Sequence, residues 1–234
     1  MSIFHAGHEL SGGRGWFSHF QSSRGFGMTA LSCAGGGAGI LPLPGASRSE
    51  APLVLESFVS NAAELRAHAL GSAFVDWKGR DGQTYKRVCL TEVPGLHRKI
   101  EDVMGPVDML GMGYRLNFGG ELPNAAIHSD LGWGTHALVL YLSEGEGGTA
   151  FWRHKATSAH RIDAGDVELY ERVRGDWDDA KKWDRIGLVP MTLGRAVIYQ
   201  SALFHSRWPF AAFGDDAESG RLIAVAFFTP KELA

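Results

Sequence analysis

Four short runs of apolar, β-branched and aromatic residues set what this chain can fold into. They are Met109 to Phe118, Ala137 to Leu142, Arg195 to Tyr199 (introduced by Leu193-Gly194) and Arg221 to Phe228. Each is bounded by Gly, Ser, Asn or Pro, and each reads as a buried strand. Between the first two lies His128-Ser129-Asp130, and between the last two lies His205. Alternate residues of an extended chain face the same side. His128 and Asp130 can therefore address one metal ion while Ser129 points away.

Two imidazoles and one carboxylate can hold Fe(II) on one face and leave the other positions open. Ligands far apart in sequence, each at a strand end, suit a small barrel or sandwich with a metal at its mouth. Each ligand also has a plainer reading. His128 could be a loop histidine, Asp130 a turn residue before Gly132, and His205 a core histidine bonded to a backbone carbonyl. The order of the strands around them favours the metal.

Around the triplet, four motifs follow in order: Asn117-Phe118-Gly119-Gly120, Leu138 to Ser143, Gly147-Gly148-Thr149-Ala150-Phe151, and Gly194 to Tyr199 followed by His205. In that order they resemble the Fe(II)- and 2-oxoglutarate-dependent oxygenases, and the prolyl-hydroxylase-like branch most. The resemblance covers roughly half the chain, Leu110 to Phe228. It implies a mainly β fold with flanking helices around a double-stranded β-helix core, the jelly roll shared with cupins. It implies iron on His128, Asp130 and His205, with 2-oxoglutarate and O2 as co-substrates and ascorbate as an in vitro supplement. Succinate and CO2 would be released as a C–H bond of an amino acid, peptide or small metabolite is hydroxylated. In halogenating relatives the carboxylate position holds a small residue. Asp130 fills it here, which favours hydroxylation.

A dicarboxylate needs a cation at the far end of its pocket, and the planar fork of Arg suits it. Arg221, sixteen residues after His205, matches the family's anchor by position. Arg207 is the competitor, two residues from His205. Asn117, eleven residues before His128, matches a polar contact to the co-substrate, and Tyr114 is the candidate for a missing hydroxyl. A buried Tyr needs a hydroxyl partner in any case, so a structural role for Tyr114 stands beside that one. A nucleobase dealkylase is the enzymatic rival, but its second Arg is replaced here by Phe227. A non-catalytic cupin-like binding module is the rival from another class.

The stretch 156–190, between the Gly-Gly strand and the Gly194 strand, is long and charged and carries Trp177 and Trp183. It reads either as a solvated loop with a short helix or as a substrate lid that sets substrate choice. Trp133, Trp152 and Trp208 are close enough in sequence to the ligands to be candidate pocket walls. Core packing is the commoner fate of Trp.

At 234 residues and 44% apolar content the chain can bury one good core. A net charge of −3 gives no general nucleic-acid surface. No apolar run is long enough to span a bilayer. Two cysteines, Cys33 and Cys89, give no disulfide framework and fit a reducing cytoplasm. Residues 1–50, Gly-rich and aperiodic, read as a loose extension without the features of a secretory signal. Residues 51–234 read as the oxygenase domain, with a helical brace over 51–108 and the β core over 109–234. The brace contains helices over Asn61–Leu70, where Ser60 or Asn61 would cap, and Leu96–Met104. The other histidines (5, 8, 19, 68, 97, 136, 154 and 160) read as surface or loop residues. The partner expected is a small-molecule or peptidyl substrate.

Overall fold

A computed structural model describes residues 37–79, 82–121 and 126–232. Most of the expected N-terminal extension, with Cys33, His5, His8 and His19, lies outside them. In chain order the elements are β1 (Ala38–Ile40), β2 (Leu53–Leu55), α1 (Ala62–Leu70), β3 (Val75–Lys78), β4 (Thr84–Leu90) and α2 (Leu96–Met104). Then come β5 (Val107–Asn117), β6 (His136–Tyr141), β7 (Gly148–His154), α3 (Val167–Arg174), β8 (Trp183–Pro190), β9 (Ala196–Gln200), β10 (His205–Trp208) and β11 (Arg221–Pro230). The four expected strands and both expected helices are present. Asn61 precedes α1 but makes no side-chain cap bond.

An eight-stranded sheet runs β1-β2-β9-β6-β11-β5-β4-β3, and a three-stranded sheet runs β10-β7-β8. All pairings are antiparallel. Strand alternation sorts the side chains into layers. Val139, Tyr141, Val197, Tyr199 and Ile223 of the large sheet meet Phe151 and Val189 of the small sheet, which makes the interior of the sandwich. On the other face of the large sheet, Tyr114, Leu116, Leu138, Leu222 and Ala224 pack against Leu65, Ala69, Leu96 and Ile100 of α1 and α2. Trp152, Trp183 and Phe204 cover the outer face of the small sheet with Val173 of α3. The fold is mainly β, a double-stranded β-helix with flanking helices.

Two stretches depart from expectation. The segment read as a helical brace also supplies β2, β3 and β4, which extend the large sheet, and β1 falls within the expected extension. Charged residues interrupt β3 (VDWK) and β4 (TYKRVCL), which hides their apolar alternation. The stretch 156–190 carries the expected short helix, α3, but also a strand. Its last eight residues are β8, paired with β7 from Gly148↔Pro190 to His154↔Trp183.

Candidate active site

The two histidines meet through their backbones. His128 N donates to His205 O at 3.0 Å, and His205 N donates to His128 O at 2.9 Å. His128 thus continues the small sheet beyond β10, and the rings stand 4.6 Å apart between centroids. Asp130 N donates to Ser201 O, which turns the carboxylate back toward the same point. Asp130 lies 3.1 Å from His205 Nε2 and 3.7 Å from His128 Nε2. The three ligand atoms lie within 4.8 Å of one another.

Facial ligands with bonds of about 2.1 Å near right angles stand about 3 Å apart, so the donor set fits a divalent ion after small adjustment. The tautomer fits as well. His205 Nδ1 is engaged by Leu203 O at 2.9 Å, which leaves Nε2 to bind a metal. Burial pushes the Asp130 carboxyl upward, but the charges of His205, His128 and Arg115 outweigh it and hold Asp130 below the usual carboxylate range. Asp130 is therefore ionised at neutral pH.

Arg221 and Asn117 are register partners on β11 and β5. Both are almost fully buried, at 3% and 1% exposure. Among the described residues, Arg221 Nε and Asn117 Oδ1 have no hydrogen-bond partner. A buried guanidinium without an acceptor is costly, and an anion placed there removes the cost. Burial pushes the Arg221 group down to about 10, so it remains a cation at neutral pH. The buried guanidinium of Arg221 and the amide of Asn117 therefore suit an anionic group such as a carboxylate.

Tyr114 belongs elsewhere. Residues 114 and 117 have opposite parity on β5, so Tyr114 faces α1, where its hydroxyl bonds His68 Nδ1 at 3.0 Å. The sequence reading missed the tyrosines that do face Arg221. They are Tyr141, whose hydroxyl donates to Thr149 Oγ1 at 2.8 Å, and Tyr199, whose ring packs on His205 at 4.7 Å. Both act on Arg221 electrostatically. Both strands are buried on the two faces, so only the assembled sheet shows which of their residues turn toward Arg221.

Arg207 donates from Nε to Phe210 O at 2.7 Å and from its terminal nitrogen to Glu121 O. It ties the segment before His128 to β10. Burial, with Arg115, Arg221 and Arg87 nearby, pushes its guanidinium down to about 9. Trp152 and Trp208 lie on the outer face of the small sheet, against Phe210, and do not line the interior. Trp133, at 37% exposure, stays beside the site, in the short helical turn Leu131–Trp133 after Asp130.

The middle of the 156–190 stretch holds the segment that carries His128. Ala126 N donates to Asp178 Oδ1 at 2.9 Å, and Ile127 N donates to Trp177 O at 3.0 Å. His154, expected at the surface, is buried and bonds Asp176 at 3.0 Å, which locks this turn to β7.

A protein-family model described as a family of unknown function (DUF6445) matches residues 128–228, from His128 to the last strand. No curated protein matches. Among solved structures the chain is similar to SnoN, a non-heme alpha ketoglutarate dependent epimerase from nogalamycin biosynthesis. Identity is 16% and the TM-score 0.51, over 76% of this chain and 77% of that one. A 2OG-Fe(II) oxygenase family oxidoreductase from Burkholderia pseudomallei matches at 10% identity and TM-score 0.47, over 77% and 86%. AviO1 from Streptomyces viridochromogenes Tue57 matches at 13% and 0.45, over 73% and 85%. The likeness to SnoN is one of fold. No helix among the described residues is long and apolar enough to cross a membrane.

Proposed function

We propose that this chain is an Fe(II)- and 2-oxoglutarate-dependent oxygenase that hydroxylates a C–H bond of a small or peptidyl substrate. One observation carries the reading. The interior that receives two histidines and an ionised aspartate also contains a buried, partnerless Arg221–Asn117 pair. A non-catalytic cupin-like module has no need of that second feature. SnoN, an alpha ketoglutarate dependent enzyme of the same fold, supports it.

His128, Asp130 and His205 would hold the iron, and Arg221 with Asn117 would hold the distal carboxylate of the co-substrate. Iron and 2-oxoglutarate, when bound, supply the oxidising chemistry, with succinate and CO2 as co-products. The chain's residues do the rest. Leu203 O fixes the His205 tautomer. The apolar residues between the sheets exclude water. SnoN is an epimerase, so this fold serves more than one outcome. Asp130 at the carboxylate position, as the resemblance implies, favours hydroxylation here. The two-cysteine composition suits a reducing cytoplasm.

The test is anaerobic addition of 2-oxoglutarate to the Fe(II) protein, followed by admission of air. A visible charge-transfer band and then succinate are expected. Absence of both from the metal-loaded protein would overturn the reading.

A further inference from the structure

Four arginines crowd the interior end of β5, and three have defined work. Arg221 sits with Asn117. Arg207 is bonded to the carbonyls of Phe210 and Glu121. Arg87 pairs with Glu121 and lies 4.0 Å over the Phe118 ring. Arg115 is the fourth. It shares the interior face of β5 with Asn117, two residues or about 7 Å away along the strand, and it lies opposite Ile223 of β11. Its Nε is buried without a hydrogen-bond partner among the described residues. Its guanidinium stands 5.2 Å over the Tyr85 ring, and Asp130 is the carboxylate that acts on it. The charge of Asp130 is already shared with two histidines and, in the proposed function, a metal ion. Arg115 is therefore a desolvated cation beside the candidate metal centre with no anion of its own.

A chain of rings begins at that point. Tyr85 contacts Trp77 at 5.7 Å, Trp77 contacts Trp133 at 6.0 Å, and Trp133 contacts Phe227 at 5.5 Å between centroids. Trp133 is partly exposed and follows Asp130 by three residues. Adjacent tilted rings at these separations offer a broad apolar face on which another ring can stack. The exposed Trp is the place for it, because covering that surface is favourable. The ring wall and the spare cation adjoin through Tyr85, and both flank Asp130.

Building on the oxygenase reading, we propose that Arg115 and this ring wall bind the prime substrate, and that the substrate is an aromatic organic anion. Its acid group, carboxylate or phosphate, meets the Arg115 fork, and its ring system lies against Trp133. Arg221 is the deeper and more buried of the two partnerless guanidiniums, so it takes the co-substrate and leaves Arg115 for the substrate.

The test is calorimetric titration of the full chain, loaded with Mn(II) and saturating 2-oxoglutarate, with naphthalene-2-carboxylate, 2-naphthyl phosphate and 2-naphthalenemethanol. At least one anion should bind about tenfold or more tightly than the alcohol, the size expected of a charge-assisted contact. Which anion binds tighter tells carboxylate from phosphate. Arg115→Met should erase the preference, and Arg115→Lys should restore part of it. Trp133→Ala should weaken all three probes alike. The 2-oxoglutarate affinity of Arg115→Met should fall far less than that of Arg221→Ala. Equal binding of anions and alcohol to wild type would overturn the proposal. So would an Arg115→Met protein that loses 2-oxoglutarate as Arg221→Ala does. Repeating the titrations on Arg221→Met without metal or co-substrate reads the subsite alone. A preference that persists there while wild type binds no 2-oxoglutarate would defeat the functional reading and leave the anion subsite standing.

Discussion

His128 and His205, seventy-seven positions apart, exchange both backbone hydrogen bonds and so form a single rung of the small sheet. The strand pairing itself brings the two imidazoles together, and the Tyr199 ring and Asp130 carboxylate pack against His205. Their separation is therefore set before a metal ion arrives, which is the preorganisation a binding site needs.

It follows that truncating the ligands should cost metal and little fold. His128→Ala, Asp130→Ala and His205→Ala should each abolish iron-dependent succinate release, because three ligands act as one unit. Their circular-dichroism spectra should match wild type, since the rung is made by main chain. Wild-type succinate release by His205→Ala would remove this histidine from the site.

For the co-substrate, Arg221→Ala should raise the 2-oxoglutarate requirement about tenfold or more, since a charge-assisted bond contributes roughly 1.5–3 kcal/mol. Arg221→Lys should retain part of the binding as a point charge without the fork. Arg207→Ala should act differently, because its two bonds go to backbone carbonyls. It should lower the melting temperature and shift the 2-oxoglutarate requirement less than Arg221→Ala does. The reverse ranking, in titrations of succinate release, would make Arg207 the anchor.

What the sequence made legible is which residues meet, because strands carry a period of two: His128, Asp130 and His205 converge, and Asn117 and Arg221 pair across β5 and β11. The errors are errors of face. Tyr114 and Asn117 are an odd number of residues apart, so one strand cannot present both to one pocket. Trp152 and Trp208 lie on the outer face of the small sheet, away from His205. Tyr141 was hidden for another reason. Its strand, HALVLY, is buried on both faces, so no polar alternation marks which face is the interior. Arg115 shares parity with Asn117, but a lone Arg in an apolar run carries no mark of lacking a partner. That fact appears only when the neighbouring strands are in place.

The stretch 156–190 was read as a solvated loop with a short helix or as a substrate lid, and the bonds from Trp177 and Asp178 add a tie to the segment that carries His128. Asp178 accepts from Ala126 N, two residues before His128. Asp178→Ala leaves that buried amide unpaired, at about 1–3 kcal/mol. Part of that cost should appear as weaker metal binding, several-fold in Mn(II) titrations monitored by electron paramagnetic resonance. Asp178→Asn, which keeps an acceptor oxygen, should restore most of it. Mn(II) affinity equal to wild type in Asp178→Ala would separate the stretch from the metal segment.

His136 gives a pH dependence that belongs to the fold and not to the ligands. It lies on β6, its ring stacked on Phe228 at 5.7 Å and its Nδ1 2.9 Å from Thr135 Oγ1. Burial pushes it down from the ordinary 6.5 to about 4. Above pH 6.5 it is neutral whether the chain is folded or not, and it contributes no pH dependence. Between 6.5 and 4 the unfolded chain takes up a proton that the folded chain refuses, so stability falls as the pH falls through that window. Below about 4 both states are protonated and the loss is complete, at about 3 kcal/mol at most from this one residue. Other groups titrate in the same range, so the comparison is with His136→Gln in urea melts at pH 7 and pH 4.5. The variant should lose less stability than wild type between the two. Equal losses would show that the ring takes up its proton inside the folded protein at its ordinary value.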